Sequence, residues 1–181
     1  FRIDLTHEYV RAALEHGFLW NASGARIRDY VSLHDEREWR RFREGDDQKP
    51  VIWLCPHFIG LDAAAIRISV DTSGCSIYSE QSNPDLDQMM LAGRTRFGES
   101  KIIARTEGVK PIIRAMKSGL PFYYLPDMDF GARDSVFVPF FGVTAATITG
   151  VSRLAKLTGA VVVPVIATQR PQGRGYDVRF Y

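Results

Sequence analysis

The twelve residues Val51-Ile-Trp-Leu-Cys-Pro-His-Phe-Ile-Gly-Leu-Asp62 constrain the fold most. Four apolar residues in a row, Val51 to Leu54, read as a strand buried on both faces, which is how strands of parallel sheets read. Pro56 and Gly60 end that strand, and a helix is expected from Leu61 to Val70. The loop carries a base, His57, and the helix start carries a carboxylate, Asp62. Residues five apart are turned by about 140° on a helix. The two meet only if His57 lies in the loop and Asp62 in the first helical turn. A carboxylate-oriented imidazole is a general base suited to activating a hydroxyl.

The same punctuation recurs along the chain. Strand-like runs are expected at Gly74–Ser79, Ile102–Arg105, Phe122–Leu125 and Ala160–Ile166, with a further alternating strand, at an edge, over Tyr176–Tyr181. Helices are expected over Thr6–Phe18, His34–Glu44 (mixed in charge, anchored by Trp39 and Phe42), Glu107–Ser118 and Ile148–Thr158, and from an Asp85 cap to Phe97. Gly119 and Gly159 fit as helix stops. Ile27–Leu33 shows a looser, strand-like alternation. Strands alternating with helices predict an α/β fold, a central mostly parallel sheet flanked by helices. We expect one domain over residues 1–181, and a piece of a longer protein, because Phe1 opens mid-pattern and the chain ends inside a strand pattern.

Composition excludes some classes. A net charge of +2 without blocks of like charge gives no footprint for nucleic acid. No apolar run approaches the length of a membrane span. No Cys/His spacing points to a metal site. Cys55 and Cys75 sit in apolar runs and read as reduced core thiols.

The most specific stretch is Leu125-Pro-Asp-Met-Asp-Phe-Gly-Ala-Arg-Asp-Ser-Val-Phe-Val-Pro-Phe-Phe-Gly142. It follows a buried strand, where open α/β sheets place their ligands. Asp127 and Asp129 project to one side if the chain stays extended, and Phe137, Val138, Phe140 and Phe141 form an uncharged wall. The plainer reading of that wall is an edge strand packed on the core.

With His57-Phe-Ile-Gly-Leu-Asp62, this stretch resembles the bacterial lipid A late acyltransferases, of the lysophospholipid acyltransferase superfamily. Further matches are Gly93-Arg-Thr-Arg-Phe-Gly98, Ile103-Ala-Arg105, Gly119 to Asp127, Thr144-Ala-Ala-Thr147 and Val163-Pro-Val165. The likeness runs from about Trp20 to Ile166. Many family members have Glu where this chain has Asp62.

The resemblance implies a glycerolipid acyltransferase-like fold and an acyl transfer. His57 would take the proton of an acceptor hydroxyl, and Asp62 would orient His57. The donor would be a fatty acyl thioester of acyl carrier protein and the acceptor a lipid A precursor, with no metal or bound cofactor. Arg94 would bind an acceptor phosphate, and Arg105 matches an acceptor-binding arginine of the superfamily. Arg96 lies about 200° from Arg94 on a helix, so one of the two faces the site. Asp127 and Asp129 would bind acceptor or scaffold the site. The implied location is the cytoplasmic face of a bacterial inner membrane, at the membrane surface. Other glycolipids, a lysophospholipid, or a non-catalytic lipid-binding module remain as alternatives.

Overall fold

The computed structural model describes residues 5–44, 48–128 and 135–181, with side chains from residue 10 onward. The described elements, in chain order, begin with α1 (Leu5–Leu19), α2 (Gly24–Tyr30), β1 (Val31–His34), α3 (Arg37–Arg40), β2 (Val51–Leu54) and α4 (Leu61–Ser69). They continue with β3 (Cys75–Tyr78), α5 (Pro84–Thr95), β4 (Lys101–Ala104), α6 (Lys110–Lys117) and β5 (Phe122–Tyr124). The last are β6 (Ser135–Phe140), β7 (Val143–Ile148), α7 (Gly150–Thr158), β8 (Val161–Gln169) and β9 (Tyr176–Phe180).

Seven strands form one sheet in the order β1-β9-β8-β2-β5-β3-β4. Every neighbouring pair is parallel except β8 and β9. The expected mostly parallel α/β sheet is therefore present. β2 lies at its centre and feeds both cores. Val51 and Trp53 face a cluster with Ile27, Ile66 and Phe180, while Ile52 faces one with Ile112, Met116 and Phe122. That two-sided burial is why β2 reads as an unbroken apolar run.

Four local expectations differ from the structure. The helix expected over His34–Glu44 shrinks to α3, because His34 ends β1 and residues 41–44 are turn and bend. Ile27–Leu33 is a helix followed by a strand. Ile27 and Val31, both fully buried, are four residues apart, which is a helical spacing closing onto β1. Ser23 caps α2 by accepting from the Arg26 amide. The α5 cap is Asn83, not Asp85, because its side chain accepts from the amides of Asp85 and Leu86, with Pro84 at the first helical position. β9 is an interior strand between β1 and β8, and Tyr176, Val178 and Phe180 are all buried.

The apolar wall forms neither an edge strand nor part of the core. β6 and β7 pair as a separate antiparallel hairpin, and its tip residue Phe141 is 93% exposed. No helix among the described residues is long and apolar enough to cross a membrane.

Candidate active site

The sheet register builds the site. β2 and β5 pair as Ile52↔Phe122, Trp53↔Tyr123 and Leu54↔Tyr124, an offset of 70 residues. The Cys55 amide continues the ladder by donating to the Tyr124 carbonyl. Both strands then meet a proline, Pro56 and Pro126, which ends their ladders. The next residues are His57 and Asp127, still at the same offset. The Asp127 carboxylate accepts from the His57 amide at 2.8 Å and from its ring Nδ1 at 2.7 Å.

That second bond sets the imidazole's chemistry. A carboxylate accepts only, so Nδ1 carries the hydrogen, and the neutral ring then has its lone pair on Nε2. The two hydrogen bonds to His57 outweigh the effect of burial and hold the Asp127 carboxyl below its ordinary range. Both side chains are about two-fifths exposed, so the pair adds little stability but leaves the ring open to a substrate.

Asp62 lies where it was expected, in the first turn of α4, but its hydrogen bonds go elsewhere. One oxygen accepts from Arg94 Nε at 3.0 Å and stands 2.7 Å from its Nη2 as an ion pair, and the other meets His16 Nε2 at 2.8 Å. Burial alone would raise its pKa, yet His16 and Arg94 pull it below the usual carboxylate range. The Asp62 hydrogen bond in turn raises the pKa of His16, against desolvation. His57, Asp62 and His16 line one surface pocket, together with Glu15, Phe58 and Tyr176.

Glycines allow this assembly. A Cβ at Gly60 would stand 2.7 Å from Ala167 and from the Tyr176 ring, so only glycine lets α4 begin this close to the sheet. A Cβ at Gly93 would stand 2.3 Å from Trp20, so α5 presses on the end of α1 there. The stretch Gly93 to Gly98 is thus a docking device. Gly93 seats on Trp20, Arg94 reaches Asp62, and Arg96 bonds the Ala22 carbonyl and lies over the Phe97 ring.

The other expected residues spread out. Arg96 is committed to the α1–α2 turn, so Arg94 is the arginine that faces the site. Arg105, exposed, begins a short turn after β4, three strand spacings from β2 and hence about 14 Å away across the sheet. Asp129 lies outside the described residues. Cys55 is 1% exposed, and burial pushes its thiol far above the ordinary range, so it is no thiolate nucleophile. No group of acidic, His or Cys side chains among the described residues forms a metal site.

His16 was not legible as a site residue, because its contact with Asp62 spans 46 positions and nothing local marks it. The His57–Asp127 pair did leave a signal: two apolar runs, each closed by proline and then by one half of the pair.

A second, apolar cavity of about 90 Å³ opens beside Asp62 and Arg94. It runs under α4 along β2, β5 and β3, past Ala65, Ile66, Ile77 and Tyr123, to Gly74.

A family model described as bacterial lipid A biosynthesis acyltransferase matches residues 5–181. The chain belongs to that family. It is 38% identical over 136 residues to a lipid A biosynthesis acyltransferase of Haemophilus influenzae, covering 74% of this chain and 42% of that protein. It is 37% identical over 167 residues to the lipid A biosynthesis lauroyltransferase of Escherichia coli K12, covering 91% and 53%. The myristoyltransferase of the same organism is 36% identical over 138 residues, covering 76% and 41%. The chain spans about half the length of the curated relatives it matches. In this family member His57 and Asp62 stand five positions apart, and the His57 ring is bonded to Asp127.

Proposed function

We propose that this protein transfers a fatty acyl chain from an acyl carrier protein thioester to a hydroxyl of a lipid A precursor. The single observation that carries the reading is His57, exposed at the C-terminal end of the central strand with its Nδ1 hydrogen held by Asp127. Nε2 then takes the proton as the acceptor hydroxyl attacks the thioester carbonyl, and the imidazolium gives it to the carrier's departing thiolate as the C–S bond breaks and the ester is left. Asp127 keeps the ring oriented and, with ionised Asp62 beside the same pocket, stabilises the imidazolium that forms. The developing oxyanion needs donors. The Asp62 and Ala63 amides suit that role, since a helix start leaves amides without intrahelical acceptors and both residues line the pocket, whereas the Leu61 amide already donates to the Phe58 carbonyl.

The apolar cavity beside Asp62 fits the donor's chain, where each buried methylene is worth about 0.8 kcal/mol. Arg94 stands at the boundary between cavity and pocket. Its Nε edge is engaged by Asp62, so an acceptor phosphate meets the outer face of its guanidinium. Arg105, on the same end of the sheet, suits a second, distant phosphate of a large acceptor. An amphiphilic acceptor supports a working position at a membrane surface, and we assign that surface to the cytoplasmic side of a bacterial inner membrane.

The test is a mass-spectrometric assay of the purified protein with acyl carrier protein thioesters and a panel of acceptors. We expect a new ester on a phosphorylated lipid A-type glycolipid. Transfer to lysophospholipid alone would overturn the acceptor. Binding of lipid with no transfer to any acceptor would overturn the enzymatic reading.

A further inference from the structure

The hairpin β6–β7 spans residues 135–148, and none of its side chains is charged. Val136, Phe137, Phe140 and Val143 are 47, 63, 64 and 70% exposed, and Phe141 at the tip is 93% exposed. Successive strand residues point to opposite faces. Both faces of the hairpin therefore present exposed apolar side chains. Exposed apolar surface of this kind marks an interaction site.

The helices beside it carry charge of one sign. No Asp or Glu occurs from Ser135 to Tyr176, or from Gly108 to Pro126. Those spans hold α6 and α7, which bear Lys110, Arg114, Lys117, Arg153 and Lys156, all exposed. The two helices pack together on one face of the sheet through Ile112, Ala115, Met116 and Leu154. The charged side chains that these two helices present are thus all basic.

The hairpin is also rooted near the reaction centre. β7 passes through Thr149 directly into α7, and Gly150 sits so close to the Tyr124 hydroxyl that a Cβ would lie 2.4 Å from it. Tyr124 ends β5, three residues before Asp127.

We propose that β6–β7 is a membrane wedge: Phe140 and Phe141 enter the acyl region of an anionic bilayer while the basic side chains of α6 and α7 lie on its headgroups. Charge selects this occupant. An apolar protein surface would match the hairpin but not the basic layer, and an acidic protein would match the layer but not the hairpin. An anionic bilayer matches both. The wedge brings the bilayer to the end of the sheet that carries His57, where a lipid acceptor has to arrive. The proposal rests on the acyltransferase reading only for that last point, and vesicle binding is measured without turnover, so either can fail alone.

The experiment uses vesicles of phosphatidylcholine with or without phosphatidylglycerol, and a Phe141→Trp variant with brominated acyl chains as quencher. The chain should sediment with the anionic vesicles and not with phosphatidylcholine alone. The indole introduced by Phe141→Trp should be quenched, beyond any change in the emission of the wild-type chain. Phe140→Ser with Phe141→Ser should release the protein from vesicles at an unchanged melting temperature. Neutralising Lys110, Arg114 and Lys117 to Gln should weaken binding by roughly fivefold per charge. No binding to anionic vesicles, binding with an unquenched indole, or binding indifferent to either set of substitutions would each overturn the wedge. So would a dimer in solution that Phe141→Ser dissociates, since a second copy would then be the occupant.

Discussion

Replacing Asp127 by Asn should lower kcat far more than replacing Asp62 by Asn. In the structure Asp127 makes two bonds to His57, one to the amide and one to Nδ1. An asparagine carbonyl still satisfies the amide, but its NH₂ group then faces Nδ1. That donor favours the tautomer with hydrogen on Nε2, and such a ring cannot accept the acceptor's proton. The loss expected for the wrong tautomer is about 10³- to 10⁴-fold in kcat, or roughly 4–5.5 kcal/mol of barrier. Asp62→Asn removes a charge beside the pocket and the anchor of Arg94, but leaves the tautomer intact. Its cost should be on the order of tenfold to a hundredfold, with a rise in acceptor KM. Initial rates with saturating thioester and varied acceptor, on variants with matched melting curves, decide between them. A 10⁴-fold loss in Asp62→Asn beside a nearly active Asp127→Asn would refute the reasoning. The spacing of the motif would then identify the working pair, and the Asp127 bond would be incidental.

The same site supports further expectations. His16→Ala should detach α1 from Asp62 and lower the melting temperature by a few degrees, from a charge-assisted bond worth about 1.5–3 kcal/mol. Because the folded pKa of His16 is raised, that contribution is complete below about pH 6.5 and fades as pH rises through the raised value. Because the folded pKa of Asp62 is lowered, the contribution is present above about pH 4 and is lost as pH falls through the depressed value. The gap between wild-type and His16→Ala melting temperatures should therefore peak between those limits, and a gap that grew at alkaline pH would contradict the pairing. Ala65→Phe should fill the apolar cavity and shift donor preference toward shorter chains; unchanged relative kcat/KM across a series of chain lengths would show that the chain lies elsewhere. Cys55→Ala should keep most activity with no acyl-thioester trapped from donor alone, and an acyl group found on Cys55 would require a covalent route.

Legibility in the sequence followed how local each cause is. β2 and β5 were readable because both faces of each are buried, which writes an apolar run into consecutive residues, and β8 because its run of valines continues even through the exposed Val162. α4 was readable from Gly60 and the apolar residues after it. β9 was misplaced to an edge because its alternation of Tyr176, Val178 and Phe180 with Asp177 and Arg179 looks half-solvated. That face is partly solvated, with Asp177 engaged by Arg170 and His34, yet the strand is interior because β1 and β8 pair with it on both sides. Ile27 and Val31 mislead in the opposite way, since a seven-residue helix and a four-residue strand share too few positions for either period to show. His57 and Asp62 were singled out by residue type and spacing. The partner of each was not, because it is set by strand register across 70 residues in one case and by the docking of α1 in the other.

The central claim is that His57 is the base of an acyl transfer, and the most direct measurement is single-turnover ester formation by His57→Ala. The variant should fold, with a melting curve like that of the wild type, because the His57 ring is two-fifths exposed and packs in no core cluster. It should bind the thioester donor and form no lipid A-type ester above background. A folded His57→Ala protein that makes the ester at the wild-type rate would contradict the account.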